Sequence, residues 1–206
     1  MSFFSLISKS GFIGYTLILL SVVSLAIVIE KIVMFRSSKI VPKDRLKTMV
    51  MLLSTNKIGD VIEFCKRNRF LLSEIIIEAF RNIGEISRVN FLNAFEVIAR
   101  KKVAELERGM TLLATIATIA PLLGLLGTVL GMVKIFGVLD AGTSGIANPQ
   151  QLSAGIAEAL LTTVFGLIVA VPSYVAYNLL QRKLDKLVLE IEQAGVIIAN
   201  NLKGFK

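Results

Sequence analysis

The side chains in this chain that could do chemistry are few: several hydroxyls and one carboxylate set in apolar surroundings. Thr118 and Thr128 lie in one apolar run, Thr111 to Phe136, and Glu158, Thr162 and Thr163 lie in another that ends at Leu180. Histidine is absent and Cys65 is the only cysteine. The usual nucleophilic triads and zinc sites therefore lack their commonest member, and no intramolecular disulfide can form. There is no G-x-x-x-x-G-K-[ST] loop, and the glycines of GLLGTVLG fall inside an apolar run where they make no phosphate cradle. An enzyme is not expected, nor is a metal or another cofactor. Threonines in an apolar helix have two uses: they hydrogen-bond backbone as a packing device, or they line a wetted path. Glu158 belongs to such a path or is a charge favoured by a helix N-terminus.

Stepping through each run at roughly 100° per residue gives the hydroxyls a setting. In the run from Thr111 to Phe136, Ala117, Ala120, Gly124, Gly127 and Gly131 share one side, with Thr128 at its margin and Thr111, Thr115 and Thr118 on a separate edge. In the later run, Gly155, Ala159, Thr162, Thr163, Gly166, Ala170, Ser173 and Tyr177 fall within one arc, and Glu158 lies at its rim. Small residues let helix backbones approach closely. Pro121 and Pro172 sit inside the two runs, where each leaves a carbonyl to be satisfied by a neighbour. Two such helices joined by a short loop suggest a lined pore if several copies assemble.

Three runs are long enough to cross a bilayer, in a chain that is 54% apolar with a mean hydropathy of +0.74. The expected fold is all-α: an integral membrane protein with three transmembrane helices and long cytoplasmic helical extensions. The first span, Phe12 to Ile29, carries no charge and closes on Glu30, Lys31 and Arg36. Basic residues after the apolar stretch indicate a retained span rather than a cleaved leader, and Ser21, Ser24 and Ala26 leave it readable as an ordinary lipid-facing anchor. Of twenty-three basic residues, only Lys9 and Lys134 fall outside the region 31–110 and the tail. The positive-inside bias thus places the N-terminus outside and the C-terminus in the cytoplasm.

The expected layout is a first segment and span at 1–30, a cytoplasmic helical domain at 31–110, spans at 111–136 and 157–180 flanking a short periplasmic loop at 137–156, and a cytoplasmic helix at 181–206. The cytoplasmic domain holds sixteen Lys/Arg against nine Asp/Glu, a net +7. Its apolar periodicity, for example Leu72, Ile75, Ile76, Ala79, gives short packed helices with breaks at Pro42, near Asn56 and Gly59, near Arg67 to Arg69 and at Gly84. From Ser87 the pattern Val89, Leu92, Phe95, Ala99, Val103, Leu106 predicts one helix running unbroken into the second span. Acids interleave with Arg100, Lys101, Lys102 and Arg108, so nucleic-acid binding is not expected, whereas contact with membrane lipid is. No carboxylate lies at mid-depth in any span. A proton relay normally needs one, so a conducting assembly would take its carrier from another subunit.

The segments ATIAPLLGLLGTVLGMVKIF and GIAEALLTTVFGLIVAVPSYVAYNLL resemble the two signature spans of the MotA/TolQ/ExbB proton-channel family, and the three-span layout resembles its TolQ/ExbB branch. The resemblance implies a homo-oligomeric ring, a pentamer, around an ExbD/TolR-like single-span partner whose membrane aspartate carries protons, with a TonB/TolA-like protein downstream. It implies a bacterial inner-membrane location and a motor driven by the proton motive force, powering outer-membrane work or import. Pore-facing roles carry over to Thr128, Glu158 and Thr163. Thr162 and Thr118 join them from helical facing alone, and Pro121 and Pro172 match helix-shaping prolines. A flagellar or gliding stator-like subunit, and a non-conducting scaffold or permease subunit, stand as the alternatives.

Overall fold

The structure, a computed structural model, describes residues 11–35, 40–54, 58–84, 87–140 and 149–202, and every regular element among them is an α-helix. In chain order these are α1 (Gly11–Met34), α2 (Lys43–Ser54), α3 (Ile58–Arg67), α4 (Leu71–Asn82), α5 (Arg88–Glu107), α6 (Met110–Asp140) and α7 (Pro149–Asn200). The chain divides into two compact units, one drawn from Met1–Glu30 and Gly109–Asn178, the other from Lys31–Arg108 and Leu179–Lys206.

In the second unit the short helices stop where the sequence loses its helical signals. Ser73 closes the start of α4, its hydroxyl accepting from the Phe70 N–H at 3.0 Å and donating to the Phe70 carbonyl at 2.7 Å. Ser87 caps α5, its hydroxyl accepting from the Asn90 N–H at 3.1 Å. The core gathers Met49, Leu53, Val61, Cys65, Leu72, Ile75, Ile76 and Ala79 with the aromatic run Phe80, Phe91 and Phe95. Buried Leu184, Leu187, Ile191, Ala194 and Ile198 confirm the amphipathic reading of the tail. Gly195 lies so close to Phe95 that any side chain there would collide with the ring. Burial pushes the Cys65 thiol up to about 12, because a desolvated thiolate is disfavoured.

Two expectations about helix limits are corrected. The helix from Ser87 does not run unbroken into the second span: it ends at Glu107, Arg108 leaves helical geometry with ψ 127, and Gly109 takes φ 90. A backbone at that φ is at home only in glycine, so Gly109 permits the break, and apolar periodicity carries no sign of it. Its apolar face is also set differently, centred on Phe91, Phe95, Ile98 and Ala99, with Val89 65% exposed. The loop drawn at 137–156 is shorter, because α6 extends to Asp140 and α7 begins at Pro149. Proline suits a first helical position, where its missing N–H costs nothing. Gly142 and Gly145 of that loop, and Asn56, lie outside the described residues.

The break after α5 leaves last-turn carbonyls without intrahelical donors. Lys31, 2% exposed, meets one of them, its ammonium donating to the Leu106 carbonyl at 3.0 Å with the Phe35 ring 5.9 Å away. A cation at a helix C-terminus also complements the helix dipole.

In the first unit α1, α6 and the first part of α7 are apolar on nearly every side. Among the described residues three helices are long and apolar enough to cross a membrane, yet only 22% of the best apolar window of the first and 28% of the other two is buried within the chain. Leu122, Leu126, Val129, Leu130, Leu160, Val164, Ile168 and Val171 are all exposed. Such a surface belongs in lipid or against other chains, and the protein is a membrane protein.

Candidate functional site

The site grows out of the contact between α6 and α7. Where a Cβ added at Gly131 would come 2.7 Å from the Ala159 Cβ, one at Gly155 would come 2.8 Å from the Ile135 Cδ1, and one at Gly166 would come 3.1 Å from the Gly124 Cα. Residue numbers fall along α6 as they rise along α7, so the two helices are antiparallel neighbours in backbone contact. Small residues on both helices permit so close a backbone approach.

Most of both small-residue stripes is therefore consumed inside one chain. Ala117, Ala120, Ala159, Thr162, Ala170 and Ser173 are buried, and Gly124, Gly127 and Gly131 press on α7. The Thr162 hydroxyl donates to the Ala159 carbonyl at 2.7 Å and lies 3.1 Å from the Gly124 carbonyl of α6. It occupies the gap that Gly127 leaves open, where an added Cβ would collide with it.

The first span takes part in this packing. Leu17 packs with Ala120 and Ala170, and the buried Ser24 hydroxyl meets that of Ser173 at 2.6 Å. Ser173 in turn donates to the Val169 carbonyl at 2.7 Å, so its proton is committed and Ser24 is the donor. The anchor reading of the first span left this out; the signal for it was the small-residue character at Ser21, Ser24 and Ala26.

The remaining hydroxyls and the carboxylate sit around the contact. Viewed along the axis at about 100° per residue, Thr128 stands roughly 60° to one side of Gly131. Thr163 stands roughly 70° to the same side of the line through Gly155, Ala159, Thr162 and Gly166, given the antiparallel sense. The contact register also puts Thr128 and Thr163 at one height. Thr128 donates to the Leu125 carbonyl at 2.7 Å. The Thr163 Oγ1 is buried and has no hydrogen-bond partner. Glu158 lies on the other edge of the pair, five residues and about 7.5 Å further along the helix, and is half-buried. Thr118 is exposed well round α6 from the contact, donating to the Ala114 carbonyl at 2.8 Å. Pro121 and Pro172 lie inside α6 and α7 without ending either helix. The structure thus brings Thr128, Thr162 and Thr163 together and leaves Thr118 and Glu158 apart from them. Among the described residues no cluster of three or more His, Cys, Asp or Glu could hold a metal ion.

Comparison with known proteins gives a concordant set of likenesses. Residues 68–193 match the MotA/TolQ/ExbB proton channel family. The chain is 40% identical over 127 residues to the biopolymer transport protein ExbB of Aquifex aeolicus, covering 60% of this chain and 78% of that protein. It is 29% identical over 188 residues to an ExbB-like biopolymer transport protein of Synechocystis, covering 91% of this chain and 89% of the relative. It is 30% identical over 122 residues to the Tol-Pal system protein TolQ of Haemophilus influenzae, covering 54% and 53%.

Proposed function

The chain belongs to the MotA/TolQ/ExbB proton channel family, in its TolQ/ExbB branch, and from that premise we propose that it is the ring-forming subunit of an inner-membrane motor driven by the proton motive force. Several copies, five by the family resemblance, close around an ExbD/TolR-like single-span protein whose membrane carboxylate carries the proton. A TonB/TolA-like protein receives the work. The N-terminus lies in the periplasm and the C-terminus in the cytoplasm, with lipid against the exposed apolar faces.

One observation carries the assignment of residues. The Thr163 hydroxyl is buried without a partner, at the height and on the edge of Thr128. Burying a hydroxyl unpaired is costly, and a group from a neighbouring chain or a proton-carrying water would satisfy it. In this reading Thr128 and Thr163 form the wall of the path and Thr118 extends it inward, while Glu158 acts from the opposite edge of the pair, near the outer end of α7. Thr162, engaged between α6 and α7, holds the wall from behind. Pro121 and Pro172 shape the helices.

The test is proton flux into liposomes holding the complex, with assembly followed by native mass spectrometry. Thr163→Ala and Glu158→Ala are expected to lower flux at least tenfold while the ring stays intact. Unchanged flux through an intact ring sinks the residue assignment. The rival reading, a non-conducting scaffold, draws on the use of the small stripes for intrachain packing; it gains if the same variants lose assembly and flux together.

A further inference from the structure

Lys134 has no role in the reading above, yet it and Glu158 are the only charged residues in the two signature spans as drawn, 111–136 and 157–180. We propose that Lys134 is the counter-ion of Glu158, a positioning residue that holds the carboxylate at the outer end of the α6–α7 pair. The inference rests on the packing of α6 against α7 and on the membrane location; it does not require that the chain conduct protons.

Geometry makes the pairing specific. The contacts of Gly131 with Ala159 and of Ile135 with Gly155 set Lys134 opposite position 156, two residues or about 3 Å in height from Glu158. On α6, Lys134 is turned roughly 60° from Gly131 in the sense opposite to Thr128, and on α7 Glu158 is turned roughly 70° in the sense opposite to Thr163. Because the helices are antiparallel, both charges project from the same edge. That edge is the one that does not carry the threonines. Neither residue takes part in the ion pairs that Arg67, Arg100 and Lys102 make with Glu63, Glu96, Glu74 and Glu105.

Lys134 is exposed and Glu158 half-buried, with no ion pair joining them. A lysine stem is long and flexible enough to cross the groove between two helices in contact. At the edge of a hydrocarbon layer the attraction between opposite charges is several-fold stronger than in water. Each charge is also expensive there alone. The bland account is that each head reaches water separately, which predicts independence.

A double-mutant cycle separates the two. Lys134→Met, Glu158→Gln and the double variant are unfolded reversibly in mixed micelles, with Lys134→Arg as the conservative control. Each single change is expected to shift the folding equilibrium about tenfold and the double change also about tenfold, against about a hundredfold if the sites act independently. The charge-swapped Lys134→Glu/Glu158→Lys chain is expected to recover most of the loss seen in either single reversal, which a purely packing role would not produce. Additive losses and no recovery on swapping overturn the proposal. A second measurement covers poor folding of the swap: Lys134→Cys/Glu158→Cys in a Cys65→Ala background is joined by a short bis-thiol-reactive linker. A bridge within one chain supports the pair, and bridges solely between chains overturn it. Proton flux is read in parallel, so a cycle showing coupling in a non-conducting protein retires the motor reading alone.

Discussion

Gly124→Ala tests the close approach of α6 and α7 most directly. The added Cβ would lie 2.9 Å from the Thr162 carbonyl oxygen, 3.0 Å from the Thr163 Cα and 3.3 Å from the Gly166 Cα. All three obstacles are backbone atoms, so no rotamer change makes room. Ordinary contact begins near 3.4 Å, and the helices must part by about 0.5 Å, a strain of the kind that costs about 1–3 kcal/mol in packed cores. That shift also takes the Thr162 hydroxyl, whose one proton is shared between the Ala159 and Gly124 carbonyls, from 3.1 Å to about 3.6 Å from Gly124, beyond useful range, at up to about 0.6 kcal/mol in a membrane. Alanine returns up to about 1 kcal/mol in helix propensity. The net expectation is a loss of about 0.5–3.5 kcal/mol. Gly137→Ala is the control within the same helix, since nothing lies within 4 Å of its added Cβ, and it is expected to be neutral or to gain up to about 1 kcal/mol. The assay is reversible unfolding in SDS and maltoside micelles followed by helical circular dichroism. If Gly124→Ala proves as stable as Gly137→Ala, the backbone contact is not as described and the register built on it fails.

Other expectations follow from single contacts. Ser24→Ala and Ser173→Ala should each cost about 0.6–1.7 kcal/mol, with the double variant little worse than one, as measured by the same unfolding. Lys31→Met should cost about 1–3 kcal/mol by leaving the Leu106 carbonyl unmet, and amide exchange should rise in the last turn of α5. Cys65, with its thiol raised from 9.0 to about 12, should resist maleimide at pH 8 until the protein unfolds. The unfolded thiol ionises first, so this contribution is fully present below about pH 9 and is lost as pH rises from there to about 12. Cys65→Ala should remove that alkaline component from the stability profile.

Helix identity was legible in the sequence because the breaks between the short helices coincide with strong local signals. Pro42, the Asn68 and Arg69 that follow the end of α3, and Gly84 all fall between helices, whereas Gly59 lies inside α3. The small-residue faces of α6 and α7 were legible too, since helical phase alone places Gly124, Gly127 and Gly131 together. What covers a face is a tertiary fact, and phase does not contain it: the two stripes meet each other, and Thr162 is buried between them. Helix limits failed where a single residue decides, at Gly109 through its positive φ and at Pro149 through its fitness to begin a helix. The clasp from Ser24 to Ser173 joins residues 149 positions apart, and a single serine in an apolar run carries no address for its partner.

The α6–α7 pair is two-faced: one flank bears neutral hydroxyls and the other bears the lysine and the carboxylate. Mirror symmetry is unavailable to L-chains, so copies in any cyclic array repeat by rotation alone. Walking around such an array, an observer on one side of the membrane would always meet the flanks in the same order. The assembly would have clockwise and anticlockwise directions that are chemically distinct, and a partner turning inside it would experience a ratchet-like asymmetry written into every tile.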